Sequence, residues 1–132
     1  MKYTELKRIR DDKYNEICDK HGVFYAFSVK QFLEGEKENP LNEGEKYVSM
    51  GMGGYVRKSQ LDGYFEGINL IEEWFKEEHR NINQDEAILY ELNNYECFYS
   101  GDISTALEVL KEQGITKEQV QAVYKKNYRF TD

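Results

Sequence analysis

The sequence predicts an α+β fold, with about five or six helices packed on a small antiparallel sheet in one domain spanning residues 1–132. Three observations carry that expectation. Apolar residues recur at helical spacing in several stretches, and capping residues open most of them. Between residues 46 and 58, two strand-like runs flank the cluster Gly51-Met52-Gly53-Gly54. A third run, Val23-Phe24-Tyr25-Ala26-Phe27, supplies a partner strand, because an isolated hairpin is marginal in water.

Residues 1–20 read as a helix with Leu6, Ile9, Tyr14 and Ile17 on one face beside the stem of Lys13. Thr4 is placed to cap its start and Gly22 to stop it. Residues 23–27 read as a buried strand or extended segment. Ser28 and Gln31 match a capping box for a short helix over 29–34, which presents Phe32 and Leu33 and ends at Gly35. Residues 35–45 hold the only proline and little to bury, so they read as a loop. Lys46–Met50 and Tyr55–Lys58 form the hairpin, bent at glycines that tolerate positive φ.

Ser59 is placed to cap a long helix over 60–79, with Leu61, Tyr64, Phe65, Ile68, Ile71, Trp74 and Phe75 as a wide apolar stripe. Gly63 and Gly67 either let another backbone approach closely or mark a late helix start. Asn83 and Glu86 open the next helix, which carries Ala87, Ile88, Leu89 and Leu92 and ends at Asn93-Asn94. Residues 95–99 are ambiguous between extended chain and frayed helix. Asp102 is placed to cap a helix with Ala106, Leu107, Val109 and Leu110, stopped by Gly114. Thr116 and Gln119 form a third capping box. The helix behind it carries Val120, Val123 and Tyr124, then Lys125, Lys126 and Arg129 at its dipole's negative end.

Composition narrows the function classes. No apolar run approaches the roughly 18 residues of a membrane helix, and the N-terminus lacks a signal-peptide core. Two Cys and two His give neither a disulfide framework nor a zinc site. Lys58-Ser59 opens a helix, yet Arg57 stands where a phosphate loop needs glycine. Cys97 is the one thiol near polar groups, and no histidine is tied to it by the sequence. The sequence thus predicts no enzyme, no cofactor and no metal.

Charge and tyrosine content say more. The net charge is −7, and residues 60–100 alone carry −8. Such acidity argues against nucleic acid, whose phosphates demand cations, and suits either a basic protein surface or simple solubility. Eleven tyrosines favour half-buried and contact positions, since the ring packs while the hydroxyl seeks a polar partner. The candidate partner-binding residues are Tyr55, Arg57 and Lys58 on the hairpin and Tyr95 and Tyr99 near the second turn.

Three stretches carry a resemblance: Phe24–Ser28 with Gln31-Phe32, Val48–Lys58, and Leu89–Glu96 with Gly101-Asp102. Over residues 1 to about 126 the chain resembles a family of small uncharacterised proteins of bacteriophages and prophage-like elements of Gram-positive bacteria. The resemblance implies a cytoplasmic accessory protein of the bacterial host, and many such proteins act by binding a host or phage protein. It assigns no functional residue. The expectation is therefore a non-catalytic protein-interaction module that modulates a host or defence protein, with a homodimer among its arrangements and no membrane or nucleic-acid partner. Two alternatives stand beside it: a small-molecule or nucleotide site at the Gly-rich hairpin, and an acidic decoy of DNA.

Overall fold

The computed structural model describes residues 1–128, which hold seven helices and a three-stranded antiparallel sheet, an α+β fold. Arg129, expected at the end of the last helix, lies outside the described residues. The chain divides into two compact units, Ile9–Glu73 and Met1–Arg8 with the residues from Trp74 onward. Their boundary falls within the first helix, α1 (Tyr3–His21), and within the third, α3 (Leu61–Arg80).

The unit Ile9–Glu73 contains the sheet, formed by β1 (Phe24–Tyr25), β2 (Tyr47–Gly51) and β3 (Gly54–Arg57). The strand order is β1-β3-β2, with β3 in the centre. Met52 and Gly53 turn the hairpin with φ of 51° and 81°, so the glycine cluster makes the bend its composition predicts. The register shifts between Ser49 and Gly51, where Met50 is the extra residue on β2 and Gly51 follows it in left-handed backbone.

Pairing sorts the side chains by parity. Phe24, Tyr55, Tyr47, Ser49 and Arg57 fall on one face and Tyr25, Gly54, Val56, Val48 and Met50 on the other. The helix α2 (Val29–Glu38) packs on the first face. Phe32 of α2 meets Tyr55 at 5.1 Å and Tyr47 at 5.6 Å between ring centroids, and Phe24 completes a four-ring cluster.

Several expectations for this unit are corrected. Strand β1 is two residues long rather than five, and Phe27 is 75% exposed instead of buried. Ala26 N–H still bonds Gly53 C=O, but beyond that point the chain turns into α2. Gly35 does not end α2. It is buried within it, where the Phe24 ring lies too close for any side chain, and the helix runs on to an Asn39 cap. The loop accordingly begins at Asn39 and not at Gly35. Ser28 caps as predicted, accepting from Gln31 N–H, while the Gln31 side chain takes the Phe27 N–H.

Ser59 is not an N-cap. It sits in a 3₁₀ turn, Lys58–Gln60, that leads directly into α3, and its N–H is held by the Glu45 carboxylate at 2.9 Å. The glycines of α3 mark a close approach rather than a late start. A Cβ at Gly63 would meet the His21 ring at 2.7 Å, and one at Gly67 would meet Ile17 at 2.6 Å. Thr4 likewise caps nothing, since α1 begins at Tyr3. Gly22, with φ of +68°, ends α1 as expected.

The second unit is helical: α4 (Gln84–Asn94), α5 (Cys97–Ser100), α6 (Ser104–Lys111) and α7 (Lys117–Asn127). Ile88, Leu92, Cys97, Ala106, Leu110 and Val120 form its core. Residues 95–99 resolve into the one-turn α5, entered through Glu96 in left-handed backbone. Ile103, not Asp102, is the N-cap of α6, although the Asp102 carboxylate accepts from Ser104 N–H at 2.9 Å. At α7 both halves of the Thr116–Gln119 capping box are present. In the same unit Tyr3 and Leu6 pack with Phe75 and Ala87. No helix among the described residues is long and apolar enough to cross a membrane.

Candidate functional site

The candidate site is an apolar groove of about 590 Å³ in the unit Ile9–Glu73. It follows from the parity of the sheet. Val48 and Met50 of β2 and Tyr25 of β1 point to the face away from α2, where Gly54 leaves a gap in the central strand. Leu61, Tyr64 and Phe65 of α3 form the facing wall. Phe27 and Met52 stand at the hairpin end.

Exposure separates this groove from a packed core. Phe27 is 75% exposed, Met52 93%, Tyr25 55% and Phe65 51%. A soluble surface rarely gathers that many large apolar side chains in one place. The Phe27 ring lies beside Gly53, where a Cβ would sit 2.5 Å from it. No charged side chain lines the groove among the described residues. A second recess, about 650 Å³, shares Tyr25 and Tyr64 as walls and adds Tyr14, Cys18 and Asp19 from α1. Burial, then the Asp19 charge, raise the Cys18 thiol above its ordinary value, so it is a poor nucleophile at neutral pH. Burial also raises the Tyr64 hydroxyl, which stays neutral.

None of the five sequence-predicted candidates lines this groove. Tyr55 belongs to the four-ring cluster on the α2 face, stacked on Phe24 at 5.8 Å. Arg57 shares that face and donates to Pro40 C=O at 3.5 Å, which ties it to the loop before β2. Lys58 is exposed in the 3₁₀ turn. Tyr95 and Tyr99 lie in the helical unit, and Tyr99 is 94% exposed. Sequence reasoning missed Tyr25, Phe27, Val48, Met50 and Met52 and assigned Phe65 to a core stripe. Alternation along β2 would have found Val48 and Met50. No local signal separates Phe27 from a buried strand residue.

Other chemistry is accounted for by structure. Cys97 is fully buried in the helical core, where burial and then Asp102 raise its thiol. The acidity of residues 60–100 is partly internal. Glu91 is buried and accepts from Tyr3 Oη at 2.9 Å and Lys7 Nζ at 3.3 Å. Glu72 accepts from the Tyr14 hydroxyl, and Glu86 from Tyr3 N–H at 3.4 Å. No group of three or more His, Cys, Asp or Glu with metal-site geometry occurs among the described residues.

Comparisons with curated proteins and with solved structures return no match. A family model described as a family of unknown function, DUF7659, matches residues 6–129. That match covers nearly the whole sequence, and the chain belongs to the DUF7659 family.

Proposed function

We propose that the protein is a non-catalytic interaction module whose groove holds an apolar, cation-flanked segment of another protein. The observation that carries this reading is the exposed apolar lining, with Phe27, Met52 and Phe65 open to solvent around a floor cleared by Gly54. Charge supplies the occupant's second property. Asp62 and Glu66 are exposed on α3 next to the lining residues Leu61 and Phe65, and Asp19 lines the adjoining recess. Lysine or arginine flanking an apolar segment would meet these carboxylates, and such pairing governs encounter rate and selectivity more than affinity.

Selection of displayed random peptides against the whole chain tests the proposal. Retained peptides are expected to combine large apolar residues with Lys or Arg, to bind more weakly as salt rises, and to lose binding to Phe65→Asp. Tyr99→Ala, in the other unit, should leave binding unchanged. A selection that retains nothing, or peptides indifferent to Phe65→Asp, overturns the reading.

The groove volume, about 590 Å³, also lies within the roughly 300–1,000 Å³ of small-molecule sites, which supports a second reading, an apolar small molecule. A nucleotide suits the groove less well, because no lining side chain is cationic to meet its phosphates.

A further inference from the structure

We infer that β2 is a pairing edge, and that two copies of this chain join antiparallel through it into one continuous six-stranded sheet. The inference goes beyond the groove reading and does not depend on it.

The main-chain geometry comes first. Lys58 N–H donates to Lys46 C=O at 3.0 Å, which makes these two a hydrogen-bonded pair. Antiparallel ladders alternate, so Val48 and Val56 form the next such pair, while Tyr47 and Ser49 stand opposite Arg57 and Tyr55 in the non-bonded positions. The N–H and C=O groups of Tyr47 and Ser49 therefore point away from β3. β2 is the last strand on its side, and no further strand takes those groups among the described residues.

Edges of this kind are normally blunted by charge, proline or a bulge along their length. Here a bulge lies close to the turn and Lys46 stands at the other end, with the strand between them unblunted. The edge strand itself, Tyr47–Gly51, has neither a charged residue nor a proline, in a chain one-third charged. That uncharged run argues for a second copy as occupant. A chain of net charge −7 repels itself in general, but not along this edge.

A two-fold axis through Val48 sets Tyr47 of one copy opposite Ser49 of the other. That register makes four main-chain hydrogen bonds, two on each side of the axis, and brings the Val48 side chains together. Lys46 then faces Met50, so no like charges are opposed, and the interface is self-complementary as a two-fold contact requires. The new bonds lie in the plane of the sheet, whereas the groove opens on one face.

Light scattering over a concentration series is the first test. The expected mass rises to twice the 15.7 kDa of one chain. Ser49→Pro removes an outward N–H at a position where an edge strand tolerates proline, and is expected to return the protein to a monomer with an unchanged circular-dichroism spectrum. Hydrogen exchange on the unmodified chain decides the matter if that variant does not fold: Tyr47 and Ser49 amides should slow as concentration rises, while the Met52 amide does not. A monomer at millimolar concentration, a dimer untouched by Ser49→Pro, or amides of Tyr47 and Ser49 that ignore concentration each overturn the inference. Phe65→Asp, which empties the groove reading, is expected to leave the dimer intact, so the two ideas fail separately.

Discussion

The Phe24 ring fills the space that a side chain at Gly35 would need. This contact is one of several that seat α2 on the sheet, since Phe24 also touches Phe32 of α2 and stacks on Tyr55 of β3. It explains why a residue that usually ends helices is retained inside one.

Gly35→Ala is therefore expected to destabilise the protein despite better helix propensity. Alanine contributes up to about 1 kcal/mol of propensity, but overpacking against a ring held among three further aromatics costs about 1–3 kcal/mol. Urea denaturation should show a lower midpoint. An increased midpoint would mean that the cluster yields easily.

The buried carboxylate of Glu91 gives a second prediction. Tyr3 Oη and Lys7 Nζ converge on it, and Lys7 also stands 5.0 Å from the Tyr90 ring centroid. Tyr3→Phe should cost about 2 kcal/mol, as expected for a hydrogen bond to a charged acceptor. Glu91→Ala should cost about 3 kcal/mol or more, since it strips the acceptor from a partly buried lysine. A double-mutant cycle between Tyr3 and Glu91 should show coupling near 1–2 kcal/mol, and additivity would refute the shared network.

Thr116→Ala should lower stability by about 1 kcal/mol, because the hydroxyl accepts from Gln119 N–H at 3.2 Å while Gln119 returns the bond to Thr116 N–H at 2.8 Å. Thr116→Ser, which keeps the hydroxyl, should restore most of that loss in thermal melts.

Acid should weaken the fold through two surface carboxylates. Hydrogen bonding from Ser59, then Asn42, holds Glu45 below its ordinary value, and Ser104 does the same for Asp102. Lowered carboxylates contribute stability that is full above their unfolded-state ionisation and disappears as pH falls through the lowered values. The stability gap between wild type and Asp102→Asn should therefore be constant at neutral pH and close in acid. A gap that persists in acid would point to a cause other than ionisation.

Much of the architecture was legible because local rules governed it. Ser28, Asn83 and Thr116 cap helices where their spacing predicts, and the stretch 51–54 bends a hairpin, with positive φ at Gly51, Met52 and Gly53. What stayed hidden depends on tertiary packing. Gly35 looks like a stop until Phe24 is seen against it, and Ser59 looks like a cap until Glu45 is found holding its N–H. The groove was illegible for the same reason: Phe27 and Phe65 have core-like neighbours in sequence, and only the fold leaves them in water. Among the tyrosines, Tyr55 is half-buried and stacked on Phe24, whereas Tyr99 is almost wholly exposed.

Met52 sits at the hairpin tip in a left-handed conformation that asparagine or glycine adopts with less strain. The bend would close more comfortably without it. A flexible thioether, 93% exposed and held at the hairpin tip against the preference of its own backbone, makes that loop a soft fingertip. It can reshape itself to whatever it touches, and it is also the first place an oxidant would reach, turning a greasy contact into a polar one.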